Sequence, residues 1–206
     1  MKENAVVIRE AVLGDVAAIV RIHKEAFKDF FLTSLGEKFL SLYYSTFINS
    51  SEGIVFCAIK DSKIVGFSAC SYISKGFNLN LIKKNIFKYF IEAIRLVFSA
   101  PGAVLRLVKN LNKESDVAGV KDDGSYAELY SIAVDPSCQG AGVGRLLLTV
   151  TESDVRGHNS RVSLTTDYYN NEKTIGFYHS LGYKDFYEFV TYPERRMWRM
   201  IKDLYE

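Results

Sequence analysis

The chain has 206 residues, 48% hydrophobic and 24% charged, an ordinary globular composition long enough for one sizeable core. Its formal charge of +2 is close to balanced, so there is no overall electrostatic case for nucleic acid or an anionic membrane as the main partner. Three cysteines, Cys57, Cys70 and Cys138, form no C-x-x-C pair and cannot all be bridged, which points to thiols in a reducing compartment.

Met1-Lys2-Glu3-Asn4 leads at once into an alternating apolar run, and no apolar stretch reaches about 18 residues. A soluble cytoplasmic protein without a signal peptide is expected. Residues 5–11 read as a first strand, and Gly14-Asp15 then opens a helix carrying Val16, Ile19, Val20, His23 and Phe27 at helical spacing. Phe30-Phe31-Leu32-Thr33-Ser34 breaks that period, and Thr33 or Ser34 can cap a second helix running to about Ile48. Residues 53–60 and 63–74 are apolar and β-branched runs separated by Asp61-Ser62, the two-residue spacing of a hairpin. From residue 79 to 113 the pattern turns helical, with Ile82, Ile86, Phe90, Ile94 and Phe98 in one stretch. Val104, Leu105 and Val108 follow a break at Pro101-Gly102.

Residues 116–125 form a polar loop, and 126–134 a strand stopped by Asp135-Pro136. Residues 143–155 are a helix entered through glycines, 161–166 a strand, and 172–181 a helix closed by Gly182. Residues 183–192 and 195–201 make a last hairpin around Pro193-Glu194. No repeat or linker divides the chain, so residues 1–206 are expected to form one domain with residues 79–121 inserted as a helical segment.

The most informative stretch is Ile132-Ala133-Val134-Asp135-Pro136-Ser137-Cys138-Gln139-Gly140-Ala141-Gly142-Val143-Gly144-Arg145, a strand, a glycine-rich turn and a helix in sequence. Glycines let backbone approach a ligand and adopt positive φ. Free N–H groups at a helix start suit a pyrophosphate. A dinucleotide fingerprint would need Gly or Ala where Arg145 stands, and a P-loop needs Lys then Ser or Thr after Gly144.

The remaining pattern, Gln139-x-x-Gly142-x-Gly144, resembles the acyl-CoA signature of the GNAT superfamily of acetyltransferases. The order strand, two helices, three strands, helix, strand, helix, two strands is similar to the family's, with only residues 79–121 outside it. Asn171, Phe177-Tyr178 and Leu181-Gly182-Tyr183 resemble a further family segment. The resemblance implies an α/β GNAT fold with a mixed, mainly antiparallel central sheet. It also implies an acetyl-CoA-dependent N-acetyltransferase that uses no metal and transfers directly to a primary amine. A protein or peptide acceptor, or a non-catalytic acyl-CoA-binding module, is the alternative.

By that resemblance Gln139, Gly140, Ala141, Gly142, Val143, Gly144 and Arg145 would hold the pyrophosphate, and Asn171 would join the cofactor site. Ile132, Ala133 and Val134 would pair the pantetheine arm as an extra strand does. The acceptor amine has to be neutral to attack, and aliphatic amines titrate near about pH 10, so a proton acceptor is useful. Glu128, a carboxylate in an otherwise apolar strand and in phase with Tyr130 and Ile132, is the candidate. A salt-bridged or solvent-facing carboxylate is the other reading. Tyr178 matches the family tyrosine that protonates the leaving thiolate, a buried core tyrosine being its alternative.

Phe30, Phe31 and Thr33 are expected to wall the acceptor pocket, although two aromatics between helices also serve as core. The stretch from Ala26 to Gly36 resembles acetyltransferases associated with bacterial surface-glycan synthesis, which suggests an aminosugar or another small amine as partner. His23, His158 and His179 have no metal-ligand spacing and read as structural or surface residues. The inserted segment carries Lys83, Lys84, Lys88, Arg95, Arg106, Lys109 and Lys113 against Glu92. Its first reading is a solvated charged face, its second a site for a phosphorylated acceptor, and its third contact with an anionic membrane surface.

Overall fold

The computed structural model describes residues 5–102, 104–105, 120, 122–191 and 194–205. Strands β1 (Val7–Glu10), β2 (Gly53–Lys60), β3 (Lys63–Ser71), β4 (Ala127–Val134), β5 (Arg161–Asp167), β6 (Lys184–Thr191) and β7 (Arg195–Asp203) form one sheet. Its order is β1-β2-β3-β4-β5-β7-β6. Every neighbouring pair is antiparallel except β4 with β5. Helices α1 (Val16–Ala26), α2 (Phe31–Ser34), α3 (Glu37–Ile48), α4 (Phe77–Lys84), α5 (Ile86–Ser99), α6 (Val143–Val155) and α7 (Glu172–His179) complete the order. This is the expected mixed sheet of a GNAT fold.

Local chemistry explains most boundaries. Asp61 and Ser62 both take positive φ, 49° and 61°, as a two-residue turn matched to the twist of β2 and β3 requires. The cap expected at Thr33 or Ser34 is absent. Those hydroxyls donate instead to the carbonyls of Phe27 and Phe31, both at 2.6 Å, and close the one-turn α2. Helix α3 starts at Glu37, with Gly36 at φ 87° as its N-cap residue. The inserted helices break at Asn85, ahead of Pro101-Gly102, and the Asn85 side chain donates to the Leu81 carbonyl at 3.1 Å. Pro101, Gly102, Val104 and Leu105 are themselves helical. Val108, Arg106, Lys109, Lys113 and Pro193 lie outside the described residues.

Because successive strand residues face opposite sides, β2 to β4 supply two cores. Val55, Cys57, Phe67, Ala69 and Ala133 pack with Ile19, Ile22, Leu40, Tyr44 and Phe47 of α1 and α3. Phe56, Ala58, Ile132 and Val134 pack with Val143 and Leu147 of α6 on the other face. Cys57 and Cys70 are fully buried thiols, and burial pushes Cys57 up to about 12, away from reactivity. Among the described residues all three cysteines are free.

Strand β4 changes character at Tyr130. Leu129 opposes Cys70 and Ser131 opposes Ala69, so Tyr130 is a bulge residue without a partner on β3. The bulge breaks the phase expected from Glu128 through Tyr130 to Ile132. Tyr130 turns toward Phe47 and Phe77 on the α3 and α4 side, whereas Ile132 faces α6. Pairing of β4 with β5 also stops here, covering only Ala127, Glu128 and Leu129. Beyond the bulge the two parallel strands splay apart, while β3 stays paired with β4 to Val134.

Candidate active site

At the end of the splayed strand, Asp135 organises the turn that the glycines follow. Its carboxylate accepts from the Ser137 hydroxyl at 2.6 Å, the Ser137 N–H at 3.1 Å and Arg21 at 2.9 Å. The Ser137 hydroxyl first, then Arg21, hold this carboxyl down at about 2. Gln139 Nε2 donates to the Val134 carbonyl at 3.3 Å, fastening the turn to β4. Gly140 and Gly142 adopt φ 79° and 77°, and a Cβ at either would meet nothing within 4 Å. Backbone conformation, not crowding, requires glycine there, and the surface beside both is open.

Gly142 is also the N-cap of α6, whose first N–H groups have no acceptor within the helix. A Cβ at Gly144 would stand in ordinary contact with Val134 and Phe177, so packing does not demand that glycine. Val143 is buried, Ala141 is exposed, and Arg145 donates to Ser180 at 3.3 Å, tying α6 to the end of α7.

A cavity of about 720 Å³ occupies the splay. Tyr130, Ser131 and Ile132 line it from β4, and Thr165, Thr166 and Asp167 from β5. Phe27, Phe30 and Phe31 form the α1-α2 wall. Leu81, Ile82 and Tyr89 come from the inserted helices, and Tyr178, Arg195 and Met197 close the remaining side. The insertion therefore contributes to the cavity, but with apolar and aromatic side chains. Among its described residues, Lys83, Lys84 and Lys88 do not line it.

The structure brings together most, not all, of the expected residues. Ile132 lines the cavity, and Ala133 and Val134 carry β4 from it to the turn. Asn171 is the N-cap residue of α7 and lines the cavity. Its side-chain amide donates to Thr166 Oγ1 at 2.6 Å and to the Asp167 carbonyl at 3.0 Å, holding the end of β5. Tyr178 lines the cavity while 7% exposed, and burial alone raises its pKa, so its phenol keeps its proton across the neutral range. Phe30 lies under the Arg195 guanidinium at 4.1 Å, and Asp167 pairs with that guanidinium from the other direction at 2.6 Å. Thr33 is not at the cavity wall, because its hydroxyl is spent on the Phe27 carbonyl.

Glu128 does not reach the cavity either. Its carboxylate accepts from Arg199 Nη1 at 2.7 Å and from the Ser74 hydroxyl. Burial first, then the charge of the neighbouring Glu128 carboxylate, raise the pKa of the Tyr130 hydroxyl. Arg199 is largely buried, its side chain 14% exposed, and despite that burial Glu128 and the phenols of Tyr126 and Tyr187 hold its pKa above the usual value. Glu128 is thus coupled to the cavity through Tyr130, which lines it.

Sequence patterns did not single out a second chain of polar groups. His23 Nδ1 is 2.7 Å from the Tyr44 hydroxyl, which donates to Ser131 Oγ at 3.2 Å. His23 and Ser131 both line the cavity, and burial pushes the imidazole down to about 4, so it is neutral. His23 Nε2 is buried without a hydrogen-bond partner. A histidine inside the apolar set of α1 was the available signal. Arg199, one of several cations in the run from Arg195 to Lys202, offered none that separated it from Arg195 or Arg196.

The sequence profile of the Acetyltransferase (GNAT) family matches residues 17–183. The chain spans 30% of the length of a curated relative, serotonin N-acetyltransferase 2, chloroplastic, from Oryza sativa subsp. japonica, 36% identical over 63 residues and 30% of this chain. Among solved structures, yncA from Salmonella typhimurium, determined with its cofactor acetyl-CoA, superposes with a TM-score of 0.61 at 17% identity. That match covers 98% of this chain and 95% of the other. The ribosomal-protein-S18-alanine N-acetyltransferase of Escherichia coli matches with the same TM-score and identity, over 97% and 94%.

A splayed parallel strand pair ending in a glycine turn at a helix N-terminus belongs to a sheet with the GNAT fold of these structures. With more than half of its length matched, this chain belongs to the Acetyltransferase (GNAT) family.

Proposed function

We propose that the protein is an acetyl-CoA-dependent N-acetyltransferase acting on the primary amine of a small molecule. The observation that carries this reading is continuity. One edge of β4, free of β5 from Tyr130 to Val134, runs from an aromatic cavity to an open glycine turn at the start of α6. A pyrophosphate suits the turn, whose donors at Gly140 to Arg145 meet no intervening side chain at Gly140 or Gly142. A pantetheine arm suits the unpaired strand edge, and the amine then approaches from the cavity.

Direct transfer needs two proton movements. The amine nitrogen attacks the thioester carbonyl carbon, the C–S bond breaks as the tetrahedral intermediate collapses, and the amine loses one proton while sulfur gains one. Tyr178 is suited to give the proton to sulfur, because its side chain lines the cavity and its buried phenol is protonated at neutral pH. The amine's proton passes to Tyr130, whose hydroxyl hands its own to Glu128, so Glu128 acts at one remove.

Eight phenylalanine and tyrosine rings, from Phe27 to Tyr178, line the cavity, which favours an acceptor with an apolar face; an aminosugar ring is one such acceptor. Closure by the inserted helices favours a small acceptor over a peptide. The E. coli neighbour, named for a protein alanine, keeps a protein acceptor as the second reading.

Calorimetry with acetyl-CoA tests the proposal. Gly142→Asp places a side chain on a backbone of φ 77° and a negative charge at the turn. Affinity is expected to fall about a hundredfold or more, while circular dichroism is unchanged. A folded variant with native affinity would place acetyl-CoA elsewhere.

A further inference from the structure

Helix α5 is turned the unusual way round. It meets the rest of the chain through Tyr89, Glu92 and Leu96, which are its buried residues. A helix packed by one stripe ordinarily shows polar residues on the other. Here the opposite stripe is Phe87, Phe90, Ile91, Ile94 and Phe98, exposed by 82, 62, 68, 48 and 84%. That is a contiguous apolar surface spread along 14 residues, about 21 Å of helix. The solvated charged face expected of this segment is therefore not what α5 presents.

The charges lie beside this stripe. Between Lys75 and Leu105 there are five basic residues and one acidic residue. The acid, Glu92, is on the buried stripe and is paired with Arg95. Lys84 is paired with Glu52, while Lys75, Lys83 and Lys88 are exposed. No carboxylate stands on the outward stripe of α5.

We infer that α5 and the end of α4 dock the protein on an anionic lipid surface, with the apolar stripe in the interface and Lys83 and Lys88 against acidic headgroups. An anionic bilayer offers an apolar zone and the complementary charge in one surface. A second copy packed about a twofold axis would set these lysines against one another without an acidic residue from the same stripe to neutralise them. No helix among the described residues is long and apolar enough to cross a membrane, so α5 lies on the surface rather than through it. Ile82 both lines the cavity and is 38% exposed, so the docking surface adjoins the mouth of the site. The inference stands whether or not the amine acceptor is the one proposed.

The test uses the whole chain and vesicles of phosphatidylcholine, alone or with about one third phosphatidylglycerol. Wild-type protein should sediment with the mixed vesicles at low salt, stay in solution with phosphatidylcholine alone, and be released as salt is raised. Combining Phe87→Glu, Ile94→Glu and Phe98→Glu should lower partitioning at least tenfold with acetyl-CoA affinity and circular dichroism unchanged. Lys83→Gln and Lys88→Gln should each lower it about fivefold. In case the triple variant folds poorly, Phe98→Trp reports directly, its emission shifting to the blue on mixed vesicles. Wild-type protein that ignores mixed vesicles at low salt overturns the inference. So does a concentration-dependent dimer that the triple substitution disperses in the absence of vesicle binding, which would assign the stripe to a second copy.

Discussion

The two halves of β4 have the same neighbours in the chain but different neighbours in space. Glu128 and Leu129 are paired on both sides, with β3 and with β5, and Ala127 is paired with β5. From Ser131 to Val134 it is bonded to β3 alone, after the bulge at Tyr130. The first half has a neighbouring strand on each side. The second keeps an edge for something else. The ion pair of Glu128 belongs to the closed half, and the cavity belongs to the open one.

The largest expected effect breaks the closed half. Arg199→Met leaves the Glu128 carboxylate buried with Ser74 as a donor but without a cation. Removing one partner of a buried pair costs about 3–5 kcal/mol, read as a lowered urea midpoint with an unchanged slope. Adding Glu128→Gln to that variant should recover much of the loss. Equal destabilisation in the single and double variants would mean that Arg199 acts by packing and not by pairing.

That contrast also explains what could be read from the sequence. The order of strands, the hairpin at Asp61-Ser62 and the glycine turn were legible because each rests on local chemistry: alternation, positive φ, a helix start. The bulge at Tyr130 was not, since nothing between Glu128 and Val134 marks one residue as extra. The register is set by the pairing of Ala69 and Cys70, some 60 residues earlier in the chain. From that one displacement followed the separation of Glu128 from the cavity and the facing of Ile132 toward α6. Tyr178 and Asn171 could be placed because helix spacing survives transfer to three dimensions. Thr33 could not, because a hydroxyl beside a one-turn helix has a carbonyl to bond as readily as a ligand. The inserted helices gave a correct basic, amphipathic pattern, but a pattern does not say which stripe faces the protein.

The open half carries a smaller, pH-dependent effect through Ser131, held by Tyr44 and His23. Burial lowers His23 from 6.5 to about 4, so between those values the unfolded chain binds a proton that the folded chain does not. Stability is therefore expected to fall as pH drops from 6.5 toward 4, by on the order of 3 kcal/mol, with no contribution from His23 above that window. Urea unfolding at pH 7 and pH 4.5 should show this drop in the wild type and a smaller one in His23→Gln. An equal drop in both would assign the titration to other groups.

The smallest effect tests whether the open half does chemistry, and it separates the two readings of Tyr178. Tyr178→Phe removes a hydroxyl and keeps the ring that packs between Phe177 and Tyr183. As the donor to the leaving thiolate, Tyr178 contributes in the transition state and not to the bound ground state. Its loss should lower kcat about tenfold or more, or roughly 1.4 kcal/mol, with acetyl-CoA affinity unchanged. The deficit should shrink with an acyl donor whose leaving thiol is more acidic, because that thiolate departs without help. A core tyrosine predicts the opposite pattern: native kcat for both donors and, at most, a shift in the urea midpoint. Kinetics with the two donors, beside an unfolding curve, decide between them, and native kcat would leave the thiolate to be protonated by water.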